Sequence, residues 1–227
     1  MSSNRRWVVI PAAGRGDRFG GTLPKQYASL AGAPVIEHTL GCFDGIARIA
    51  GIVVALAADD TRFHSVKLPR TPVHTTVGGA TRAASVLAAL DWLLNGPAAD
   101  QDWVLVHDAA RPLLARADTE ALINECEHNG IGGLLGVPVA DTLKRATGGH
   151  VRATVTRDDV WRAMTPQMFR LGPLQRALRA AGPEATDEAM AMEMAGVAPA
   201  MVRGSTENLK ITTVQDLVVA AAVMASR

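Results

Sequence analysis

The amino-acid sequence predicts an α/β fold in which helices flank a mostly parallel central sheet. Short apolar runs rich in β-branched residues alternate along the chain with stretches whose apolar positions recur every three or four residues. This alternation is typical of parallel strands joined by crossover helices. The 227 residues are 48% hydrophobic, which suffices for a sizeable core, so we expect a single domain over residues 1–227.

The elements follow in regular order along the chain. Apolar, β-rich runs predict strands at 7–10, 52–57, 103–107, 134–139, 200–202 and 209–211. Helical periodicity predicts helices at 35–43, 81–95, 119–128, 171–180, 187–195 and 213–225. Thr213 is placed to cap the last of these helices, with Asp216 three residues further on.

Residues 141–159, DTLKRATGGHVRATVTRDD, depart from this pattern. They are polar and alternate around Gly148-Gly149, which predicts a two-stranded hairpin. A lone hairpin is marginally stable in water, so we expect it to pack against a partner such as a second copy of the chain.

Charge and composition exclude several classes of protein. Lys and Arg number 23 and Asp and Glu 22, so the net charge of +1 favours neither a nucleic-acid nor a membrane-surface partner. No apolar run has transmembrane length, and the run that ends at Ile10 is too short for a secretory signal, which makes the cytoplasm the expected location. Cys42 and Cys126 are far apart and lack metal-type spacing, so we expect buried free thiols.

A glycine-rich turn, PAAGRGDRFGGTLPKQY, occupies residues 11–27 directly after the first predicted strand. Glycine lets backbone amides close around phosphate oxygens. The dinucleotide pattern GxGxxG fails because Phe19 stands at its third glycine, and GxxxxGK[ST] is absent. The turn instead carries Arg15, Arg18 and Lys25, cations that suit a triphosphate undergoing chemistry. The alternative is an exposed loop whose charges serve solubility.

Two further clusters carry charges of interest. HDAARP, residues 107–112, places Asp108 and Arg111 just past a strand end, the edge where open α/β sheets bind ligands. Asp108 could hold Mg²⁺ beside a triphosphate, or simply cap a turn. We expect His107 to be a packed, hydrogen-bonded residue without a catalytic role. Lys210, in ENLKITT, stands out only in combination with the other clusters.

Together these stretches form an ordered set of motifs. It comprises PAAGxGxR with PKQY, GGATRAASV (78–86), VHDAARP (106–112), DTLKR (141–145), TPQ (165–167), TDEA (186–189) and NLKIT (208–212). The set resembles the 2-C-methyl-D-erythritol 4-phosphate cytidylyltransferase family of the non-mevalonate isoprenoid pathway, from about Trp7 to the C-terminal helix. The resemblance implies a Rossmann-like, GT-A-like nucleotidyltransferase fold. It also implies a homodimer joined by a protruding hairpin arm, residues 138–160.

The implied reaction transfers CMP from CTP to 2-C-methyl-D-erythritol 4-phosphate, with Mg²⁺ as cofactor and release of pyrophosphate. The residues that match the family's catalytic cations are Arg18, Lys25 and Lys210. Those that match its nucleotide-binding positions are Ala12, Ala13, Gly14, Gly79, Ala80, Ser85 and Asp108, the last also as metal ligand. Those that match its acceptor-binding positions are Asp108, Arg111, Thr142, Arg157, Thr165 and Thr186, with Thr142 and Arg157 reaching the neighbouring subunit's site.

Three positions depart from the common family pattern, and other functions stay open. Ala80 and Glu207 stand where an aspartate is common, and Met190 replaces a common serine. The first removes a side-chain contact to the nucleotide. A cytidylyltransferase for another polyol phosphate, such as ribitol 5-phosphate, is the nearest alternative. A nucleotide-binding regulatory module would have little use for all the cations, and a dinucleotide-dependent oxidoreductase conflicts with the glycine spacing.

Overall fold

The computed structural model describes residues 5–14, 19 and 23–227 of the chain. Its strands are β1 (Arg6–Pro11), β2 (Ser29–Leu30), β3 (Ala33–Pro34), β4 (Ile49–Leu56), β5 (Val73–Val77), β6 (Trp103–Val106), β7 (Gly132–Pro138), β8 (Leu143–Thr147), β9 (His150–Val155), β10 (Trp161–Arg170) and β11 (Ala200–Arg203). Its helices are α1 (Val35–Gly41), α2 (Arg82–Leu94), α3 (Arg116–Asn129), α4 (Leu171–Ala181), α5 (Glu188–Met194) and α6 (Val214–Ala225). Short 3₁₀ turns lie at Lys25–Tyr27, Phe63–Ser65 and Gly182–Glu184.

The central sheet has the strand order β11-β7-β10-β6-β1-β4-β5. Within it β10 runs antiparallel to both of its neighbours, while the other pairs are parallel. The predicted α/β fold with a mostly parallel sheet is therefore confirmed. Strands β1 and β6 pair in register up to Val9 and Val106, so the segments that follow them leave the sheet at the same edge.

The core lies on both faces of this sheet. Along β1, Val8 and Ile10 pack on one face, whereas Trp7 and Val9 pack on the other. Residues of α1 and α3 belong to the first of these layers, and residues of α2, α4 and α5 to the second. Burial on both faces explains why the central strands read as continuous apolar runs. No helix in the described part of the chain is long and apolar enough to cross a bilayer.

Side-chain caps define where several helices begin. Thr213 and Asp216 form a reciprocal capping box at the start of α6, as the sequence predicts. At α2 the Thr81 side chain accepts from the Ala84 N–H, and at α5 the Asp187 side chain accepts from the Met190 N–H. The first residues of these two helices, Arg82 and Glu188, form an ion pair.

The predicted hairpin at 141–159 is confirmed. Strands β8 and β9 form a separate antiparallel pair whose turn residues, Gly148 and Gly149, have φ values of 58° and 77°. A two-residue hairpin turn with positive φ at both positions favours glycine, which tolerates that region without strain. Most side chains of the hairpin are exposed.

The structure differs from the predicted elements in several places, one of which is the short antiparallel pair of β2 and β3, which the sequence does not predict. The strand predicted at 209–211 is wrong: these residues are irregular, and Ile211 instead donates a single backbone hydrogen bond to the Ala110 carbonyl. Strand β5 is an additional, half-exposed strand at the edge of the sheet. Strand β10 is a further strand that the sequence analysis does not predict. It contains Pro166, which normally argues against a central strand, and its pairing with β7 shifts register between Ala163 and Gln167.

Both cysteines are free thiols, as predicted. Cys126 is buried, whereas Cys42 is only partly buried.

Candidate active site

A pocket of about 310 Å³ opens at the sheet edge where β1 and β6 end. The turn after β1, residues 12–14, lines one side, and residues 79–82 at the start of α2 line another. Lys25, Asp108 and Lys210 also line it. The parallel pairing of β1 with β6 explains why residues so far apart in sequence meet here.

Close packing shapes the wall formed by residues 78–81. A Cβ atom on Gly78 would lie 2.8 Å from the Ala13 Cβ, so only glycine allows the two turns to approach this closely. The Ser85 hydroxyl accepts from the Gly79 N–H at 3.1 Å and lies 2.9 Å from the Thr81 carbonyl, to which it donates. These contacts hold residues 78–81 close to the turn after β1 and to the first turn of α2.

Asp108 is the centre of an ionic network at the pocket floor. Its Oδ1 accepts from Arg82 Nε at 2.9 Å, and its Oδ2 lies 2.8 Å from Lys210 Nζ and 3.4 Å from Arg111 Nε. Arg82 also donates from both terminal nitrogens to Glu188, at 2.7 and 3.0 Å. Among the residues that the structure describes, two carboxylates therefore face three cations.

Burial and charge act in opposition on these carboxyl groups. Burial alone would raise the pKa of Asp108, but the nearby Arg82, Lys210 and Arg111 outweigh it and hold that pKa far below the usual range. Burial raises the pKa of Glu188, and Arg82 offsets only part of the rise. Asp108 is thus an anion at every physiological pH.

A buried chain of hydrogen bonds supports Asp108 from below. His107 Nε2 lies 3.0 Å from the Arg111 carbonyl, which can only accept, so Nδ1 must accept from the Thr165 hydroxyl at 3.0 Å. The same hydroxyl accepts from the Asp108 N–H at 3.0 Å. Burial lowers the pKa of His107 to about 4, which keeps the ring neutral. This agrees with its expected role as a packed residue.

The segment that carries Lys210 is tied to the pocket at several points. Lys25 Nζ donates to the Ile211 carbonyl at 2.9 Å. Asn208 Nδ2 donates to the Thr165 carbonyl at 2.8 Å, and Arg111 Nη1 donates to the Asn208 carbonyl at 2.6 Å. These contacts hold the irregular segment in a position in which Lys210 and Lys25 lie at the same pocket.

Comparison with known proteins identifies a family to which this chain is similar. The family model described as 2-C-methyl-D-erythritol 4-phosphate cytidylyltransferase matches residues 7–226. A protein of that name from Pseudomonas aeruginosa is 52% identical over 93% of this chain and 92% of its own length. The chain belongs to the 2-C-methyl-D-erythritol 4-phosphate cytidylyltransferase family. Its activity is the transfer of CMP from CTP to 2-C-methyl-D-erythritol 4-phosphate in the non-mevalonate isoprenoid pathway.

Other relatives agree with this membership of the cytidylyltransferase family. A crystal structure of 4-diphosphocytidyl-2C-methyl-D-erythritol synthase has a TM-score of 0.87 and 39% identity, and the match covers 97% of this chain and 99% of that one. A bifunctional enzyme from Albidiferax ferrireducens is 50% identical over 98% of this chain but only 54% of its own length. The chain therefore corresponds to about half of that bifunctional protein.

Most nucleotide-side residues expected from the cytidylyltransferase family meet in the pocket. These are Ala12, Ala13, Gly14, Lys25, Gly79, Ala80, Ser85, Asp108 and Lys210. Arg18 and Arg15 lie outside the described residues. Their assigned roles remain predictions.

The acceptor-side residues are more dispersed. Arg111 contacts Asp108, and Thr165 lies buried beneath it with its hydroxyl engaged as described above. Thr186 is exposed just before α5. Thr142 and Arg157 lie on the hairpin, where Arg157 donates to the Ala140 carbonyl. The structure therefore brings only part of this set to the pocket of one chain.

Arg82 and Glu188 are site residues that sequence reasoning missed. Each lies inside a recognised motif, GGATRAASV or TDEA, but each also begins a helix, where a charged side chain is commonplace. Their pairing across 106 positions is a product of the fold. A charged residue inside each motif was the available signal, and their mutual contact could not be anticipated.

The three departures from the family pattern have local consequences. Ala80 presents a methyl group to the pocket in place of a carboxylate. Met190 Sδ lies 3.4 Å from the Thr186 hydroxyl and accepts a hydrogen bond from it. Glu207 pairs with Arg227 at 2.9 Å.

The donor set in the pocket fits a magnesium ion that would take most of its ligands from substrate. The described residues contain no cluster of three or more His, Cys, Asp or Glu side chains suited to a metal. Mg²⁺ at phosphate sites commonly uses one or two carboxylates and takes its other ligands from phosphate oxygens and water. Asp108, an anion at the pocket floor, meets that requirement.

Proposed function

We propose that this chain performs cytidylyl transfer with Lys25, Lys210 and Arg18 as its catalytic cations. The supporting observation is the convergence of Lys25 and Lys210 on the Asp108 pocket from opposite ends of the sequence. In our proposal a phosphate oxygen of the acceptor attacks the α-phosphorus of CTP, and the bond from that phosphorus to the bridging oxygen of the β-phosphate breaks. Pyrophosphate leaves with the bonding electron pair.

The reaction needs charge stabilisation more than proton transfer. A phosphate monoester has its second pKa near ~6, so the acceptor is already a dianion for the most part at neutral pH. Two anions must nevertheless meet while negative charge develops on the α-phosphoryl group and on the leaving pyrophosphate. Lys210 is assigned to the α-phosphoryl oxygens, and Lys25 and Arg18 to the pyrophosphate side. The neutral, buried His107 takes no proton in this scheme.

Asp108 is proposed to hold Mg²⁺, which when bound would neutralise charge on the triphosphate. Its contacts with Arg82 and Lys210 keep the carboxylate oriented toward the pocket. Lys210 would exchange Asp108 for a phosphate oxygen when the nucleotide enters. The surplus of cations around Asp108 favours a polyanionic ligand in this pocket.

We further propose a homodimer in the cytoplasm in which each hairpin arm completes the neighbour's site. Thr142 and Arg157 would then bind the acceptor phosphate in trans, with Arg111, Thr165 and Thr186 forming or supporting the remainder of the acceptor pocket. The forked guanidinium of Arg157 suits two phosphate oxygens at once. Support comes from the hairpin itself, whose strands pair only with each other in the described chain.

The test is pyrophosphate release in the presence of Mg²⁺ and CTP, with 2-C-methyl-D-erythritol 4-phosphate and ribitol 5-phosphate supplied separately. Release with CTP and the methylerythritol phosphate alone is the expected result. ATP, GTP and UTP serve as nucleotide controls, which also examine the effect of Ala80. Release with ribitol 5-phosphate, or silence of folded protein with every pair, would contradict the proposal.

A further inference from the structure

Arg82 lines the pocket and forms an ion pair with Glu188, a buried residue to which the mechanism above gives no role. Glu188 is fully buried, with 0% of its side chain exposed. Both of its oxygens accept from Arg82, at 2.7 and 3.0 Å. Arg82 in turn donates from Nε to Asp108 Oδ1 at 2.9 Å. Glu188 is thus connected to the proposed metal ligand through one guanidinium group.

Arg82 is shared between two carboxylates, and its contacts with them are unequal. The forked end of the guanidinium faces Glu188, while Asp108 receives only the single Nε–H. A bidentate Arg–carboxylate contact is stronger and more directional than a single one. Arg82 therefore interacts more strongly with Glu188 than with Asp108.

If the charge on Glu188 were removed, Arg82 would interact more strongly with Asp108. Among the described residues, Asp108 would be the one carboxylate left in contact with Arg82. A divalent cation held by Asp108 would compete with Arg82 for that carboxylate. Substitution of a residue that hydrogen-bonds to a metal ligand, or orients it, commonly weakens metal binding by about 10- to 100-fold.

We propose that Glu188 is a positioning residue that restrains Arg82 and thereby leaves Asp108 available to the divalent cation that accompanies CTP. This inference rests on the proposed role of Asp108 as a metal ligand. Glu188 acts on the metal only through Arg82, and this makes the proposal testable with paired substitutions.

The experiment measures Mn²⁺ binding to the full-length protein with saturating CTP, by electron paramagnetic resonance of free Mn²⁺. Glu188→Gln keeps the size of the side chain and removes its charge. We expect its Kd for Mn²⁺ to rise about tenfold. Wild-type affinity in folded Glu188→Gln protein would overturn the proposal.

A second substitution separates this mechanism from a simple packing defect. In Arg82→Met/Glu188→Gln the cation that Glu188 restrains is gone, so we expect Mn²⁺ affinity to return to within about threefold of wild type. If Glu188 merely supports packing, the second substitution adds damage and affinity does not recover, which overturns the proposal. Should the single variant fail to fold, a folded double variant with tenfold weaker Mn²⁺ binding would overturn it as well.

Two controls complete the design. Glu127→Gln breaks a comparable pair, in which Arg6 Nε and Nη2 donate to Glu127 Oε1 at 3.0 and 2.7 Å, at the opposite edge of the sheet. Its Mn²⁺ affinity should stay unchanged, and an equal loss would refute a specific role for Glu188. Asp108→Asn tests the underlying proposal: unchanged Mn²⁺ binding in that variant would reject both. Weaker binding in Asp108→Asn but not in Glu188→Gln would reject the role of Glu188 alone.

Discussion

The pocket and the hairpin arm, which carry the two halves of the expected site, are built in opposite ways. In the pocket, Asp108 meets Arg82, Arg111 and Lys210 within 3.4 Å, and these groups come from separate segments of the chain. In the arm, β8 and β9 bond to each other, and Val151 stands 63% exposed. The pocket is a network enclosed by its own chain, whereas the arm presents its surface outward.

This contrast indicates what fixes the conformation of each half of the site. Buried, paired charges hold one another in place before any ligand arrives, so the nucleotide side is preorganised within one chain. A two-stranded hairpin is marginally stable unless it packs on something else. We infer that the arm gains its rigidity and its function from a second copy, and four experiments examine this contrast.

The largest effect is expected from Lys25→Ala. Loss of a positioned cation on the pyrophosphate side should lower kcat by on the order of 10²-fold or more, as for other lost charge-stabilising donors. KM should change far less. Steady-state kinetics of pyrophosphate release measures both, with exposed Lys67→Ala as the matched control. Near-normal turnover in Lys25→Ala would remove this residue from the mechanism.

Arg157→Ala should produce the opposite kinetic signature. The arm is proposed to hold the acceptor, so KM for 2-C-methyl-D-erythritol 4-phosphate should rise by roughly 10- to 100-fold, the worth of a charge-assisted contact. The KM for CTP should stay near the wild-type value. The same assay, with each substrate varied in turn, tests this. A rise confined to the KM for CTP would place Arg157 on the nucleotide side and break the contrast between the two regions.

The buried histidine beneath the pocket, His107, should make the stability of the protein depend on pH. His107 has a pKa lowered to about 4, below the unfolded value of about 6.5, so the unfolded chain binds the proton first as pH falls. Its contribution is therefore lost between about pH 6.5 and 4, and amounts to about 2 kcal/mol between pH 7 and 5. The low pKa of Asp108 acts in the same direction, at still lower pH.

Urea unfolding at pH 7 and pH 5 measures this loss. The His107→Gln variant should lose about 2 kcal/mol less than wild type over that interval. Equal pH dependence in the two proteins would show that burial beneath the pocket does not control the His107 proton.

The smallest effect is expected from mixed dimers, which test most directly whether two subunits share one site. In a hybrid of Lys25→Ala and Arg157→Ala subunits, one of the two sites contains both intact residues if the arm crosses over. Random exchange would make half of the dimers hybrids, so at an acceptor concentration well below the raised KM of Arg157→Ala about a quarter of wild-type activity should return. Mixing is monitored by native mass spectrometry. Absence of recovery after proven exchange would mean that each site is built from a single chain.

Much of the fold could be predicted from the sequence, because local patterns decide it. The run Val8–Ile10 reads as a buried strand, Thr213 and Asp216 read as a capping box, and Gly148-Gly149 reads as a hairpin turn. Each feature depends on neighbours only a few residues away, so one sequence suffices. Lys25, Asp108 and Lys210 were likewise identified from motifs, and they do meet at one pocket.

The tertiary structure alone decided which distant residues share a contact. Strand β10 lies between β6 and β7 although Pro166 argues against a strand, because sheet pairing on both sides outweighs the local preference. The segment after Asn208 does not form its predicted strand, because isolated hydrogen bonds to the Thr165 and Ala110 carbonyls hold it in place of a strand ladder. Arg82 and Glu188 meet because two helices begin side by side, a consequence of chain topology that composition and spacing do not encode.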